Sequence, residues 1–330
     1  MRIGLDAMGG DHAPGEIVRG ALEGLAAHAE VELVLVGREE VVRAELARAG
    51  PSSCLDRLHI EHATDVIAMD DSPVEALRQK KDSSIARLIK LALEKKVEAI
   101  ISAGNTGAFV AGCQLRLGTL KGVSRPGIAV VVPTFHGPIV LCDVGANISA
   151  KPHHLHDYAV MACLYAKHMI GVAEPRVGLL SIGEEEVKGN ELVKQTRALL
   201  KGDGSLRYVG NLEGRSLFAG ECDVAVCDGF VGNIVLKLTE GLADGLFQTI
   251  TREIEEGIPG LAGEFEPVVR RIWARHDYSE YGGAPLLGVD GVCIICHGRS
   301  EHRAIANAIR VASEFGRLRL NARMIESLGP

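Results

Sequence analysis

The stretch that decides the fold is Val97-Glu-Ala-Ile-Ile-Ser-Ala-Gly-Asn-Thr-Gly-Ala-Phe-Val-Ala-Gly112. It opens as a short apolar strand, Ala99-Ile-Ile101. It breaks at Ser102, Gly104, Asn105, Thr106 and Gly107, and resumes in residues that continue as a helix. The first N–H groups of a helix have no partner inside it, and the aligned peptide dipoles favour negative charge there. Strand, small polar turn and helix start together make an anion site. Ser102, Asn105 and Thr106 add side-chain donors, and the glycines admit a ligand close to the backbone. The competing reading is an ordinary N-cap by Asn105 or Thr106.

Similar turns recur outward from this unit. Ile3-Gly-Leu-Asp6 is a strand, followed by the turn Ala7-Met-Gly-Gly-Asp-His-Ala-Pro14, with Asp6, Gly10, Asp11 and His12 at its mouth. Ser83 to Lys96 places Ile85, Leu88, Ile89 and Ala92 on one helical face, the 3.6-residue period of an amphipathic helix. Gly127–Pro133 and Pro138–Asp143 are strands joined at hairpin length. The second runs into Asp143-Val-Gly-Ala-Asn147, and Lys151-Pro152 opens a long helix. His153, His154 and His156 in its first turn lack a zinc spacing and read as a solvated helix start. Further strand ends carry Lys188 and Asn190, Asn211 and Arg215, Asp228 and Asn233, and His297 and Ser300. Glu184, Glu185 and Glu186 read as dipole-complementing acids in a first turn. Tyr281-Gly-Gly-Ala-Pro-Leu-Leu-Gly288 reads as a loop.

Strands and helices alternate through 330 residues, with 39 glycines and a 47% apolar composition. This predicts an α/β protein, three-layer α/β/α with a mostly parallel sheet. The length suggests one big domain or two joined lobes; the expectation is a single domain, 1–330, with two lobes around a cleft and amphipathic helices protruding at about 240–280. A net charge of −7 argues against nucleic acid as a partner. No apolar run reaches the roughly 20 residues of a bilayer span, and the N-terminus lacks a signal-peptide layout. A cytoplasmic protein with reduced, mostly buried cysteines is the expectation. Cys293 and Cys296 form C-x-x-C inside a strand, which sends them to opposite faces.

The sequence holds no G-x-S-x-G elbow, no phosphate-loop lysine motif, no H-E-x-x-H and no dinucleotide fingerprint. Small polar, glycine-flanked strand ends suit the binding of a compact anion and the stabilisation of an oxyanion.

Taken in order, these motifs resemble one family. Leu5–Pro14, Ser102–Gly107, Asp143–Asn147 with Lys151-Pro152, Ile182–Leu192, Asn211–Arg215, Val226–Asn233 and Tyr281–Gly288 look like the bacterial phosphate acyltransferases of phospholipid synthesis. Two departures stand out: Ile148-Ser-Ala150 before Lys151, and Arg299 where a small residue is usual. The resemblance implies a fold like the isocitrate and isopropylmalate dehydrogenases. It implies that inorganic phosphate attacks a long-chain acyl thioester on acyl carrier protein, giving acyl phosphate for phosphatidic acid synthesis. It also implies a homodimer, no cofactor, and delivery of product to a membrane glycerol-3-phosphate acyltransferase. Alternatives are an acyl-coenzyme A-using enzyme like phosphate acetyltransferase, or a non-catalytic scaffold that binds the acyl carrier.

Against that reaction, Lys188, Asn190 and the 104–107 amides are expected to hold phosphate. Asn105 or Asn233 takes the oxyanion, and His12 or Asp228 handles the proton. Gly10, Asp11, Ser102, Thr106, Gly107, Asn147 and Lys151 complete the expected binding set, and no metal is expected. Arg252, Arg270, Arg271 and Arg275 form the expected docking patch for the acidic carrier, the alternative being a solvated helix face. The Ile258-Pro-Gly-Leu261 tip is read as dimer packing or as a contact with lipid or the acyl chain.

Overall fold

The computed structural model describes residues 1–257, 262–276 and 278–329. Its strands are β1 (Arg2–Asp6), β2 (Glu32–Gly37), β3 (Leu58–His62), β4 (Ala99–Ser102), β5 (Gly127–Val132), β6 (Ile139–Cys142), β7 (Arg176–Leu180), β8 (Arg207–Leu212), β9 (Val224–Val226), β10 (Ala284–Leu287) and β11 (Val292–Ile295). They form a single 11-stranded sheet in the order β3-β2-β1-β4-β11-β10-β5-β6-β9-β7-β8.

The apolar runs are continuous because both sheet faces are covered. Val34 and Val36 of β2 point into a core shared with Leu77, Leu88 and Phe109. Leu33 and Leu35 point the other way, into a core with Ile17, Leu25 and Ile305. Across the second half of the sheet, Val140 and Val224 meet Leu155 and Tyr158. The expected three-layer α/β/α architecture is thus present. Cys293 and Cys296 face the first and second of these cores respectively, on opposite sides of the sheet.

Most pairings are parallel, as expected, but not all strands run the same way. β1, β2, β3, β4 and β11 form one parallel set, and β6, β7, β8 and β9 form another. Between them lie three antiparallel pairings: β11 with β10, β10 with β5, and β5 with β6. An odd number of reversals turns the second set against the first. The carboxyl ends of the two sets therefore face opposite edges of the sheet. β10 is the element that the sequence reading leaves as loop. Gly282, Gly283 and Pro285 mask a four-residue strand, Ala284-Pro-Leu-Leu287.

Helices Gly229–Gly257 and Ala262–His276 occupy the region where amphipathic helices are expected. Phe230, Ile234, Leu238, Leu242, Leu246 and Ile250 recur every four residues along the first, and all are exposed. The Ile258–Leu261 tip lies outside the described residues. Among the described residues, no helix is long and apolar enough to cross a membrane.

Candidate active site

The turn after β4 is built as the sequence suggests, but its polar side chains face inward. Asn105 caps helix Thr106–Arg116: its Oδ1 accepts from Ala108 N at 2.9 Å. Its Nδ2 donates to the carbonyls of Ala68, Met69 and Asp71 at 2.9, 3.3 and 3.1 Å. The residue is 5% exposed, and its amide protons are engaged by the 68–71 loop. Ser102 is equally committed. Its hydroxyl donates to Asp6 Oδ2 at 2.8 Å and accepts from Gly104 N at 3.1 Å.

Asn147 follows the same pattern. Its Nδ2 donates to Pro126 O at 2.6 Å and Tyr158 Oη at 2.8 Å. Its loop is gathered by Asp143, whose carboxylate accepts from Ile128 N, Gly145 N, Ala146 N, Asn147 N and Asn147 Nδ2. Burial pushes both Asp6 and Asp143 above the ordinary carboxylate range, opposed by these hydrogen bonds. Gly104 is buried, while Lys151 and Gly107 are exposed.

Two local readings change. Helix Glu191–Gly202 starts later than expected, so Glu184, Glu185 and Glu186 lie in the preceding loop. Asn190 is its N-cap, with Oδ1 accepting from Val193 N at 3.0 Å, and Lys188 is exposed beside it. The histidines at the start of helix Pro152–Tyr165 are not all solvated. His154 is buried and its Nδ1 accepts from Lys151 N at 3.0 Å, while His156 Nε2 lies 2.8 Å from Asp203 Oδ2.

A cavity of about 350 Å³ collects some of the expected residues and adds others. From the first parallel set come Asp11, Thr106, Cys296, His297, Gly298 and Arg299. Ile128, Val130 and Val131 of β5, with Val144, contribute apolar surface. The first turns of helix Gly229–Gly257 supply Asn233, Leu236, Lys237 and Glu240. Asp228 caps that helix, accepting from Phe230 N and Val231 N at 3.0 Å each, and lies off the cavity wall. So do Gly10, His12, Asn147, Lys151, Lys188 and Asn190 within this chain.

The cavity wall is chemically mixed. Ile128, Val130, Val131, Val144 and Leu236 are aliphatic. Thr106, Asn233, Lys237, His297 and Arg299 are polar, with Asp11 and Glu240 as carboxylates. His297 Nδ1 accepts from Arg299 N at 3.2 Å, so the neutral ring carries its proton on Nε2. Burial raises the pKa of Glu240, while His297, Lys237 and Arg299 pull it back. The arrangement can hold a small anion against an extended apolar chain.

Asn233, Leu236, Lys237 and Glu240 share the helical spacing of one face. That signal is visible in the sequence, although only Asn233 is picked out from it. Of the expected docking arginines, Arg252 is held by Glu256 at 2.8 Å, and Arg271 is exposed. Arg270 and Arg275 lie on helix Ala262–His276, and their side chains fall outside the described structure. Among the described residues, no cluster of His, Cys, Asp or Glu is arranged to hold a metal.

The family of fatty acid synthesis proteins matches residues 1–323. A phosphate acyltransferase of Heliobacterium modesticaldum is 50% identical over 316 residues, covering 95% of this chain and 93% of its own. One from Pelotomaculum thermopropionicum is 50% identical over 317 residues, covering 95% and 91%. The chain belongs to the phosphate acyltransferase family. The resemblance of its loop motifs to that family is thereby borne out over nearly the full length. Solved structures place the fold of this phosphate acyltransferase family member more widely. A phosphotransacetylase from Streptococcus pyogenes superposes with a TM-score of 0.63 at 17% identity, covering 96% of this chain and 94% of its own. The EutD phosphotransacetylase from Staphylococcus aureus gives 0.59 at 15% identity, covering 95% and 94%.

Proposed function

We propose that this chain transfers a long-chain acyl group from the thioester of acyl carrier protein to inorganic phosphate. A phosphate oxygen attacks the thioester carbonyl, the C–O bond forms, the C–S bond breaks, and the thiolate leaves and takes up a proton. The products are acyl phosphate and free carrier. Phosphate is already an anionic nucleophile near neutral pH, so positioning and oxyanion stabilisation carry most of the demand.

The observation that carries the reading is a cavity lined by both aliphatic and cationic side chains in a chain 50% identical to named phosphate acyltransferases. Thr106, Lys237 and Arg299 are assigned to phosphate. Asn233 is assigned to the developing oxyanion, and His297 Nε2–H to a hydrogen bond that stabilises the departing thiolate, which takes its proton from solvent. The aliphatic residues receive the first part of the acyl chain. The exposed stripe of six apolar residues along helix Gly229–Gly257 suits a second copy of the chain, which supports a homodimer. Delivery of product to a membrane glycerol-3-phosphate acyltransferase, with peripheral membrane contact by a cytoplasmic protein, completes the proposed setting.

The test is incubation with a palmitoyl-carrier thioester, with and without phosphate, and detection of acyl phosphate. Phosphate-dependent thioester loss with matching acyl phosphate supports the reading. Carrier binding without turnover points to a scaffold. Because the fold is shared with phosphotransacetylases, acyl-coenzyme A is offered in parallel, and a clear preference for it identifies the alternative donor.

A further inference from the structure

Helices Pro73–Gln79 and Thr106–Arg116 pack side by side. Gly112 lets helix Thr106–Arg116 approach helix Ser84–Leu93, since an added Cβ there would sit 2.5 Å from Ile89 Cδ1, while the Leu77 methyl groups at 3.5 Å stay in ordinary contact range. Between the helices lies an open groove of about 340 Å³, lined by Val74, Leu77, Arg78, Lys81, Leu115 and Arg116 with Gly112 at its floor. Leu115 is 72% exposed and Val74 is 42% exposed. Arg78, Lys81 and Arg116 are exposed, and no carboxylate lines the groove. Among the described residues, none of the three makes an ion pair, whereas Lys80, Arg87 and Arg252 are each held by an acidic neighbour.

Arg78 and Arg116 stand in the last turns of their helices, where a cation complements the dipole. That accounts for two of the charges. It does not account for Lys81, or for a leucine left open among three cations on a chain of net charge −7.

We propose that this groove is the docking surface for the acidic carrier protein that brings the thioester. This rests on the reaction proposed above. The complementary partner carries carboxylates arranged around an apolar side chain, which seats beside Leu115. Helix Thr106–Arg116 links the groove to the cavity, because Thr106 at its first turn lines the cavity wall. At 1.5 Å per residue, Leu115 stands about 14 Å along the axis from Thr106. A flexible prosthetic arm spans that distance, so the carrier stays outside while its thioester enters.

The experiment compares the wild type with the triple variant Arg78→Glu, Lys81→Glu, Arg116→Glu, and with Leu115→Asp. With acyl-carrier thioester, the triple variant is expected to raise KM at least tenfold while kcat holds. Leu115→Asp is expected to raise it several-fold. With a carrier-free acyl-pantetheine thioester, all three proteins are expected to share one KM, which also shows that the variants fold. An unchanged KM for the carrier-bound donor overturns the proposal. If the wild type gives no acyl phosphate from either donor, the reaction itself is wrong. The surface is then read by titrating unacylated carrier protein into the full chain by calorimetry. At least tenfold weaker binding by the triple variant upholds the groove, and equal binding removes it.

Discussion

Ser102 donates its hydroxyl proton to the buried carboxylate of Asp6 across 2.8 Å, joining the carboxyl ends of β4 and β1. The same carboxylate accepts from Met8 N at 3.1 Å, and Ser102 Oγ accepts from Gly104 N. One contact therefore ties together the two glycine-rich turns that carry Asp11 and Thr106 into the cavity. Ser102→Ala leaves a buried carboxylate short of a donor and a buried N–H without its acceptor. Removing one partner of a buried hydrogen bond costs about 1–3 kcal/mol. The expected outcome is a lower urea midpoint with an unchanged m-value, checked by equilibrium denaturation.

Gly232 stands in the first turn of helix Gly229–Gly257, where an added Cβ would lie 1.9 Å from Asp143 O. That oxygen belongs to backbone in a loop fixed by the hydrogen bonds to Asp143. Gly232→Ala must push the helix off the loop and displace its neighbour Asn233. A loss of about 3 kcal/mol or more in stability is expected, the range of severe overpacking. Wild-type thermal stability in this variant would show that the loop yields.

Among the described residues, Arg299 and Lys237 are the arginine and the lysine of the cavity wall. If they hold phosphate, Arg299→Ala and Lys237→Ala each raise KM for phosphate about tenfold, with KM for the acyl donor little changed. Tenfold corresponds to about 1.4 kcal/mol, within the scale of a hydrogen bond to a charged group. Initial rates at varied phosphate decide it. The sequence marks Arg299 as a departure from the resembled family, and that departure stands on the cavity wall.

Glu240 lines the same wall as Lys237 and Arg299, and burial raises its pKa above the ordinary glutamate value. Below that raised pKa it is neutral and tolerates phosphate. Above it, a carboxylate repels the ligand. In the wild type, phosphate affinity is expected to fall as pH rises through the raised pKa. Glu240→Gln is expected to lose that decline. Phosphate's own titration is common to both proteins, so the ratio of their KM values across pH isolates the carboxyl group.

Glu16 and His302 fasten helices Gly15–Ala27 and His302–Arg317. Glu16 Oε2 accepts from His302 N at 2.8 Å and lies 2.7 Å from His302 Nδ1. The backbone hydrogen bond, then the ring, holds the Glu16 pKa below its ordinary value of 4.5. A depressed acid stabilises the fold above its unfolded pKa and loses that stabilisation as pH falls through the folded one. Glu16→Gln should therefore cost about 1 kcal/mol at neutral pH and flatten the acid side of the stability curve. Denaturation between pH 3 and pH 7, run on both proteins at a spacing of about 0.5 pH, measures the difference.

Much of the fold is legible in the sequence because buried parallel strands read as continuous apolar runs: Leu33 to Val36, Ala99 to Ile101 and Val292 to Ile295. What periodicity cannot show is strand direction. The reversal through β10 depends on Leu286 pairing with Ile128, a contact between residues far apart in the chain. The polar turns are recognisable, but not the destination of their side chains. Asn105 and Asn147 look like ligand donors and are consumed as braces, because a buried turn must satisfy its own carbonyls first. Cavity residues such as Lys237 and Glu240 sit about two and three turns inside a helix, away from the polar strand ends.

The short strand β10 meets each neighbour through only two residue pairs, Ala284 and Pro285 on one side and Leu286 and Leu287 on the other. Pro285 has no amide proton to add to the ladder. The cavity lies across this seam, with Ala284 and Ile295 on one flank and Ile128 and Val130 on the other. Whatever fills it becomes a clasp between the two parallel sets. Occupancy should then slow amide exchange in residues 127–129 and 284–287 more than anywhere else in the sheet.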